Sequence, residues 1–402
     1  MSLIVYTGAF RFPCGDAAAA RVLNNAKILR ELGYDVLFLS WGGAPRIEDK
    51  NGVDEYYYEG FRYINTYDLR SQKINLFKRI YNYILLGRKS LRIIREINIR
   101  PSIIIAYNPS LYISWKLMSF CRRKKIALVS DLTEWYAPQE FPGNVFAPPV
   151  WLNEFNMRVV QKRVKNKFVI SRFLDHYYAQ THNLVLPPLV DKKETKWQIN
   201  GDQLSLMNLA DSTFSPLKLI YAGNPARKDL LSVMLKAILS MLDRGYALQF
   251  RIVGVSADDL KQYYNIEGDG KYKDAILPLG RISQEKIPAY YAISDFSLII
   301  RNRNRKTMAG FPTKLAESIM GGCPVICNAT SDISEYVRTG FNGYVLETPS
   351  LGELESVLSS IVQLSADEIK MMKGNAKKCA SVKFDYYSYI DPMKIFLNNL
   401  KY

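Results

Sequence analysis

Histidine is nearly absent: the 402 residues contain two, His176 and His182. That supply is too thin for a Ser-His-Asp or Cys-His machine, or for a metal site built from His and Cys. Cysteine is sparse as well. Cys14, Cys121, Cys323, Cys327 and Cys379 are odd in number and lack a Cys-x-x-Cys spacing, the pattern of structural thiols in a reducing compartment. Nowhere does an apolar run approach the roughly 18 to 20 residues of a membrane span. The opening MSLIVYTGAF has no basic residues before its apolar run and no small-residue cleavage site, so it reads as a first strand rather than a signal peptide. A G-x-G-x-x-G dinucleotide fingerprint, a solenoid repeat, a heptad and a low-complexity tract are all missing. Acidic residues are in deficit, giving a net charge of +16. Through residue 190 there are 27 Lys and Arg against 15 Asp and Glu, which places +12 of that excess in the first half. Such a balance implies an anionic partner: nucleic acid, phosphates or an anionic membrane surface. No helix-turn-helix or RNP-type motif favours nucleic acid.

The length suggests two domains, and a hydrophobic content of 48% is enough for two cores. An apolar strand over residues 3–8 leads into a loop with Pro13 and Gly15. Asp16 then caps the helix AAAARVLNNAKILREL, Gly33 closes it, and a strand over 35–41 follows. This β-loop-α-β unit opens a doubly wound sheet. Gly15 either receives a ligand's oxygen atoms or makes a tight turn. Residues 54–63, DEYYYEGFRY, read as an edge hairpin or an aromatic rim. Residues 75–97 form a basic amphipathic stretch broken at Gly87, with Lys78, Arg79, Arg88, Lys89, Arg92 and Arg95 against Glu96 alone. It suits an anionic membrane surface, or it is a sheet-packing helix with a wet basic face. A strand over 126–130 runs into DLTEWY. Asp131 and Glu134 therefore stand at a strand's carboxyl end, where open α/β sheets bind ligands, as loop caps or as candidates for proton handling.

The second half opens the same way after a polar linker over 191–215. A strand over 217–223 is followed by the loop NPARK and the helix DLLSVMLKAILSML, with Asp229 as its cap. Gly223 allows close backbone approach, and Arg227 and Lys228 precede the helix. Further strands are expected over 249–254, 275–280 and 296–301. Residues 310–346, GFPTKLAESIMGGCPVICNATSDISEYVRTGFNGYVL, then read as loop, helix, buried strand, loop, short helix and strand. Pro312 fits the first helical turn, and Gly321 and Gly322 end the helix. Lys314 lies in the first turn, where a cation opposes the helix dipole, and Arg301 to Lys306 read RNRNRK just upstream. Free amides and local positive charge make either an anion site, with Glu317 on the same face, or a solvated basic loop with an i,i+3 ion pair.

Residues 310–346 resemble the donor-binding signature of glycosyltransferase family 4, retaining enzymes of the GT-B fold. Glu317 matches the second glutamate of the family's E-x7-E pattern, residues 322–326 (GCPVI) its next block, and residues 335–343 (EYVRTGFNG) its last. The loop over 223–228, GNPARK, resembles the glycine-arginine-lysine element that holds a donor diphosphate. Residues 168–172 and 186–191 resemble the segments that close the N-terminal domain. Ala309 occupies the position of the family's first glutamate, and G-F-P-T-K-L-A-E looks like a surface-polysaccharide subgroup in which Lys314 shares donor binding.

The resemblance implies two Rossmann-like domains facing a cleft, over 1–190 and 216–383, with residues 384–402 crossing back to the first. It implies donor binding by Gly223, Asn224, Arg227, Lys228, Arg301, Phe311, Thr313, Lys314, Leu315 and Glu317. Lys228 and Lys314 would neutralise the diphosphate, and Glu317 would accept from the ribose hydroxyls. Gly15, Asp16 and Arg21 would face the acceptor, with Asp131 and Glu134 near its hydroxyl as the catalytic candidates. No metal and no further cofactor is expected, since lysine, arginine and helix N-termini supply the charge at the leaving phosphate. The implied activity is transfer of a sugar from a nucleotide-diphosphate sugar to a glycan, lipid-linked in many relatives, in the synthesis of capsule, O-antigen or a similar surface polysaccharide. The expected place is the cytoplasmic face of the membrane, held peripherally by anionic lipid, with no nucleic acid as partner. An epimerase or hydrolase of the same fold, or a non-catalytic nucleotide-sugar binder, are the other readings.

Overall fold

The computed structural model describes residues 2–13, 16–42, 56–66, 84–138, 148–198, 216–225, 228–266 and 270–402. The expectations for Cys14, Gly15, Arg227, residues 75–83 and residues 199–215 lie outside these. The chain divides into two units. One comprises Met1–Leu189, Met308–Phe311 and Tyr386–Tyr402, the other Val190–Thr307 and Pro312–Asp385.

The first unit is built on eight strands: β1 (Ser2–Gly8), β2 (Tyr34–Ser40), β3 (Tyr56–Tyr58), β4 (Phe61–Asn65), β5 (Ile103–Tyr107), β6 (Ala127–Leu132), β7 (Asn166–Val169) and β8 (His182–Val185). Their order is β3-β4-β2-β1-β5-β6-β7-β8. All pairs are parallel except β3 with β4, which form the hairpin expected in the tyrosine-rich stretch, turning at Glu59 and Gly60. The central strands are buried on both faces, which explains their near-continuous Ile, Val and Leu. One face packs on Ala17–Glu31 and on the closing helix Ile390–Asn398, through Val22, Ala26, Met393 and Phe396. Pro392 lies in that helix's first turn, so it costs no helical hydrogen bond. The other face packs on Arg88–Glu96 and Leu111–Lys124 through Leu91, Ile94, Ile113 and Leu117.

The second unit has six strands: β9 (Leu217–Ala222), β10 (Leu248–Val253), β11 (Ile276–Gly280), β12 (Phe296–Ile299), β13 (Val325–Asn328) and β14 (Gly343–Leu346). The order β11-β10-β9-β12-β13-β14, parallel throughout, reverses direction between β9 and β12. The first sheet reverses likewise between β1 and β5. In open α/β sheets such reversals are where ligands bind, at the strands' carboxyl ends.

Candidate functional site

The carboxyl end of β9 delivers Tyr221, Gly223 and the loop to Asp229, which the sequence suggests as the cap of the next helix. It is not: that helix is Leu231–Asp243, its N-cap is Leu230, and no side chain caps it. Asp229 is buried and instead accepts from Lys314 Nζ at 2.6 Å and from the Tyr221 hydroxyl at 2.7 Å, both on Oδ2. Arg301 Nε lies 3.4 Å from its Oδ1. Lys314 reaches this carboxylate from the first turn of Thr313–Met320, whose N-cap is Pro312 and whose first residue is Thr313. That helix ends at Gly321, and Gly322 at φ +73° turns the chain into β13. The ammonium is also 4.1 Å from the centre of the Tyr221 ring, a cation–π contact. Burial pulls the Lys314 amine down to about 8, against the raising effect of Asp229. Burial pushes the Asp229 carboxyl up, but Lys314, Arg301 and Tyr221 more than offset this and leave it below its ordinary value. Burial raises Glu317, with Lys196 and Lys314 opposing.

The structure thus brings Gly223, Lys228, Arg301, Lys314 and Glu317 into one electrostatic neighbourhood. Asn224 is exposed beside it. Leu315 is fully buried and packs the helix to the core. Phe311 is buried and falls with the first unit, as does Ala309. The Ala309 side chain is wholly buried and its carbonyl accepts from Ser171 Oγ at 2.7 Å. Sequence reasoning missed Tyr221 as a member of the group and the true partner of Asp229. The sequence held no local signal for this pairing, since Asp229 and Lys314 lie 85 residues apart.

In the first unit Asp16 caps its helix as expected, accepting from the Ala19 amide at 2.8 Å. Asp131 has no solvent exposure. Both of its oxygens are held by Arg21, with Nη2 at 2.7 Å, and Oδ2 also accepts from the Tyr6 hydroxyl. Arg21, itself buried, further donates to the Leu186 carbonyl at 2.8 Å. Arg21 and Asp131 therefore form a buried ion pair that ties the first helix to the ends of β6 and β8. Glu134 and Asp16 instead border a cavity of about 850 Å³. Asn108, Tyr112, Trp115 and Leu86 line it too, giving polar groups and a broad apolar wall. Neither Asn108 nor Trp115 stood out in the sequence, since nothing local distinguishes them from ordinary loop and helix residues.

Residues 213–379 match the family described as glycosyl transferases group 1. Among curated proteins, the amylovoran biosynthesis glycosyltransferase AmsK of Erwinia amylovora is 25% identical over 180 residues, 44% of either chain. The chain thus spans less than half the length of that relative. Among solved structures, sucrose-phosphate synthase from Thermosynechococcus elongatus superposes with a TM-score of 0.74 at 15% identity, over 99% of this chain and 98% of that one. HepE from Anabaena, solved in complex with UDP-glucose, gives 0.68 at 14% identity over the whole of both chains. The fold is that of the GT-B glycosyltransferases, two α/β units with parallel sheets, and the second unit carries a glycosyl transferases group 1 domain.

Proposed function

We propose that this protein is a retaining glycosyltransferase that moves a sugar from a nucleotide-diphosphate sugar to a hydroxyl of a lipid-linked glycan during synthesis of a surface polysaccharide. The observation that carries it is the cation pair at the second sheet's reversal: Lys228 and Lys314 beside Gly223, at a helix N-terminus. Such a site needs no metal to hold a diphosphate, because fixed ammonium groups and helix amides neutralise the leaving oxygen. Glu317, one turn further along, would accept from the ribose hydroxyls. The cavity beside Asp16 and Glu134 suits an acceptor that combines hydroxyls with an apolar portion. Retention of configuration would follow from attack on the face the diphosphate leaves, with that phosphate taking the acceptor proton. The relative named for amylovoran biosynthesis supports a polysaccharide product.

Ala309 favours a second reading, a nucleotide-sugar binder without turnover, because a buried methyl stands at the position where the resemblance expects a glutamate. One assay separates the two. The protein is incubated with labelled uridine, guanosine and thymidine diphosphate sugars and a lipid extract carrying polysaccharide precursors. Label entering the lipid phase with its anomeric configuration kept is the expected outcome. Label released only as free sugar would indicate a hydrolase, and binding without any label transfer would indicate the second reading.

A further inference from the structure

We propose that Asp229 is a positioning residue of the donor site: its carboxylate holds the Lys314 ammonium over the bare face of Gly223, so that the donor's diphosphate meets a fixed cation. This rests on the reading of residues 223–228 and 313–317 as a diphosphate site.

Three observations carry it. The pair is one-sided: the Lys314 side chain keeps 14% of its surface open, whereas Asp229 keeps 1%. A ligand therefore meets the cation and not the anion behind it. Lys314 is also fixed in direction. Asp229 Oδ2 binds it at 2.6 Å, and the Tyr221 hydroxyl donates to the same oxygen while the Tyr221 ring backs the ammonium. The third observation is the space kept open. Gly223 has φ +135°, and a Cβ built there would lie 3.1 Å from Lys314 Nζ, so a side chain would push the ammonium away.

The charges close in the same sense. The groups that face Lys314 are Asp229 and Lys228 from the loop after β9, Tyr221 from β9, Arg301 after β12, and Glu317 on its own helix. Three cations against the carboxylates of Asp229 and Glu317 leave the group net positive, the sign that an anionic diphosphate requires. Without the carboxylate the amine would face Lys228, Arg301 and a helix N-terminus while remaining buried. All of these favour loss of its proton. Asp229 thus raises the pH at which this buried lysine gives up its proton.

The test is calorimetric titration of the full chain with uridine, adenosine, guanosine and thymidine diphosphate glucose. The diphosphate of each keeps its charge between pH 6.5 and 8.5. The variants are Lys314→Met, Asp229→Asn and Asp229→Glu, each with its melting curve recorded. We expect Asp229→Asn to bind near wild-type strength at pH 6.5 and to fall about tenfold below it by pH 8.5, the wild type weakening less over the same range because Asp229 delays loss of the Lys314 proton. Lys314→Met should be weak at every pH, and Asp229→Glu should recover most of the binding. If Lys314→Met binds as the wild type does, or no compound binds, the diphosphate-site reading fails and the proposal with it. If Lys314→Met is weakened but Asp229→Asn follows the wild type at every pH, or binds more tightly, the site stands and the role of Asp229 is overturned. Uniform weakening at all pH values with a lowered melting temperature reduces Asp229 to a structural residue and also overturns it.

Discussion

Two carboxylates three residues apart, Asp131 and Glu134, behave as different chemical objects. Asp131 is locked between Arg21 and Tyr6 with no exposure, while Glu134 is partly exposed on a cavity wall. Asp131→Asn leaves the Arg21 guanidinium buried without its counter-charge, which costs on the order of 3–5 kcal/mol. A large drop in the urea midpoint is therefore expected. Glu134→Gln should leave the midpoint unchanged and lower turnover with little effect on donor affinity. Equal stability of the two variants would remove the distinction. Lys167 is a third buried charge, on β7, with its amine donating to the Val164 carbonyl and lying 4.9 Å from the Tyr178 ring. Burial lowers it to about 7. The unfolded lysine holds its proton up to about 10.4, so between these values the unfolded chain binds more protons and stability rises with pH. Below pH 7 the full cost of burying the charge remains. Lys167→Met should then stabilise by a few kcal/mol at pH 6.5 and progressively less toward pH 10. Urea titrations at pH 6.5 and 9 that give equal gains would contradict this.

At the scale of elements, the basic stretch over 75–97 is legible only in part. Its described helix, Arg88–Glu96, buries Leu91 and Ile94 against Trp41 and Ile113, so it is a sheet-packing helix. Its outer face still presents Arg88, Lys89, Arg92 and Arg95, with Glu96 paired to Arg92. The packing and membrane readings of that helix are therefore compatible, since they use opposite faces. Each such cation near an anionic bilayer contributes about 1 kcal/mol, screened by salt. Neutralising Arg88, Lys89, Arg92 and Arg95 together should abolish salt-sensitive sedimentation with anionic vesicles. Sedimentation that persists would restrict the helix to packing. Element order, strand positions and the cap at Asp16 were readable because apolar runs, glycines and short polar residues determine them locally. The partner of Asp229 was not, because a carboxylate before a helix has the same local pattern whether it caps the helix or binds a lysine 85 residues away. Asp131 was misleading in the same manner. Its position at a strand's carboxyl end is local, but its partner Arg21 is set by the packing of a distant helix on the sheet.

For the whole molecule, the two units differ in charge and in what lies at their sheets' reversals of strand order. The first unit carries most of the positive excess and a cavity of mixed polarity; the second carries a compact cation cluster over a glycine. No helix among the described residues is long and apolar enough to cross a membrane. The proposed donor site holds a nucleotide-sugar diphosphate between Lys228 and Lys314 of the second unit. It is tested most directly by thermal-shift titration of the wild type, Lys228→Ala and Lys314→Ala with uridine, guanosine and thymidine diphosphate sugars. A ligand at a hundredfold excess over its Kd stabilises the fold by about 2.7 kcal/mol, which moves the melting temperature by several degrees. The account predicts that one nucleotide class gives this shift in the wild type and that each substitution weakens it about tenfold or more, the loss of one charge-assisted contact. An absence of any shift, or equal affinity in all three proteins, would contradict it.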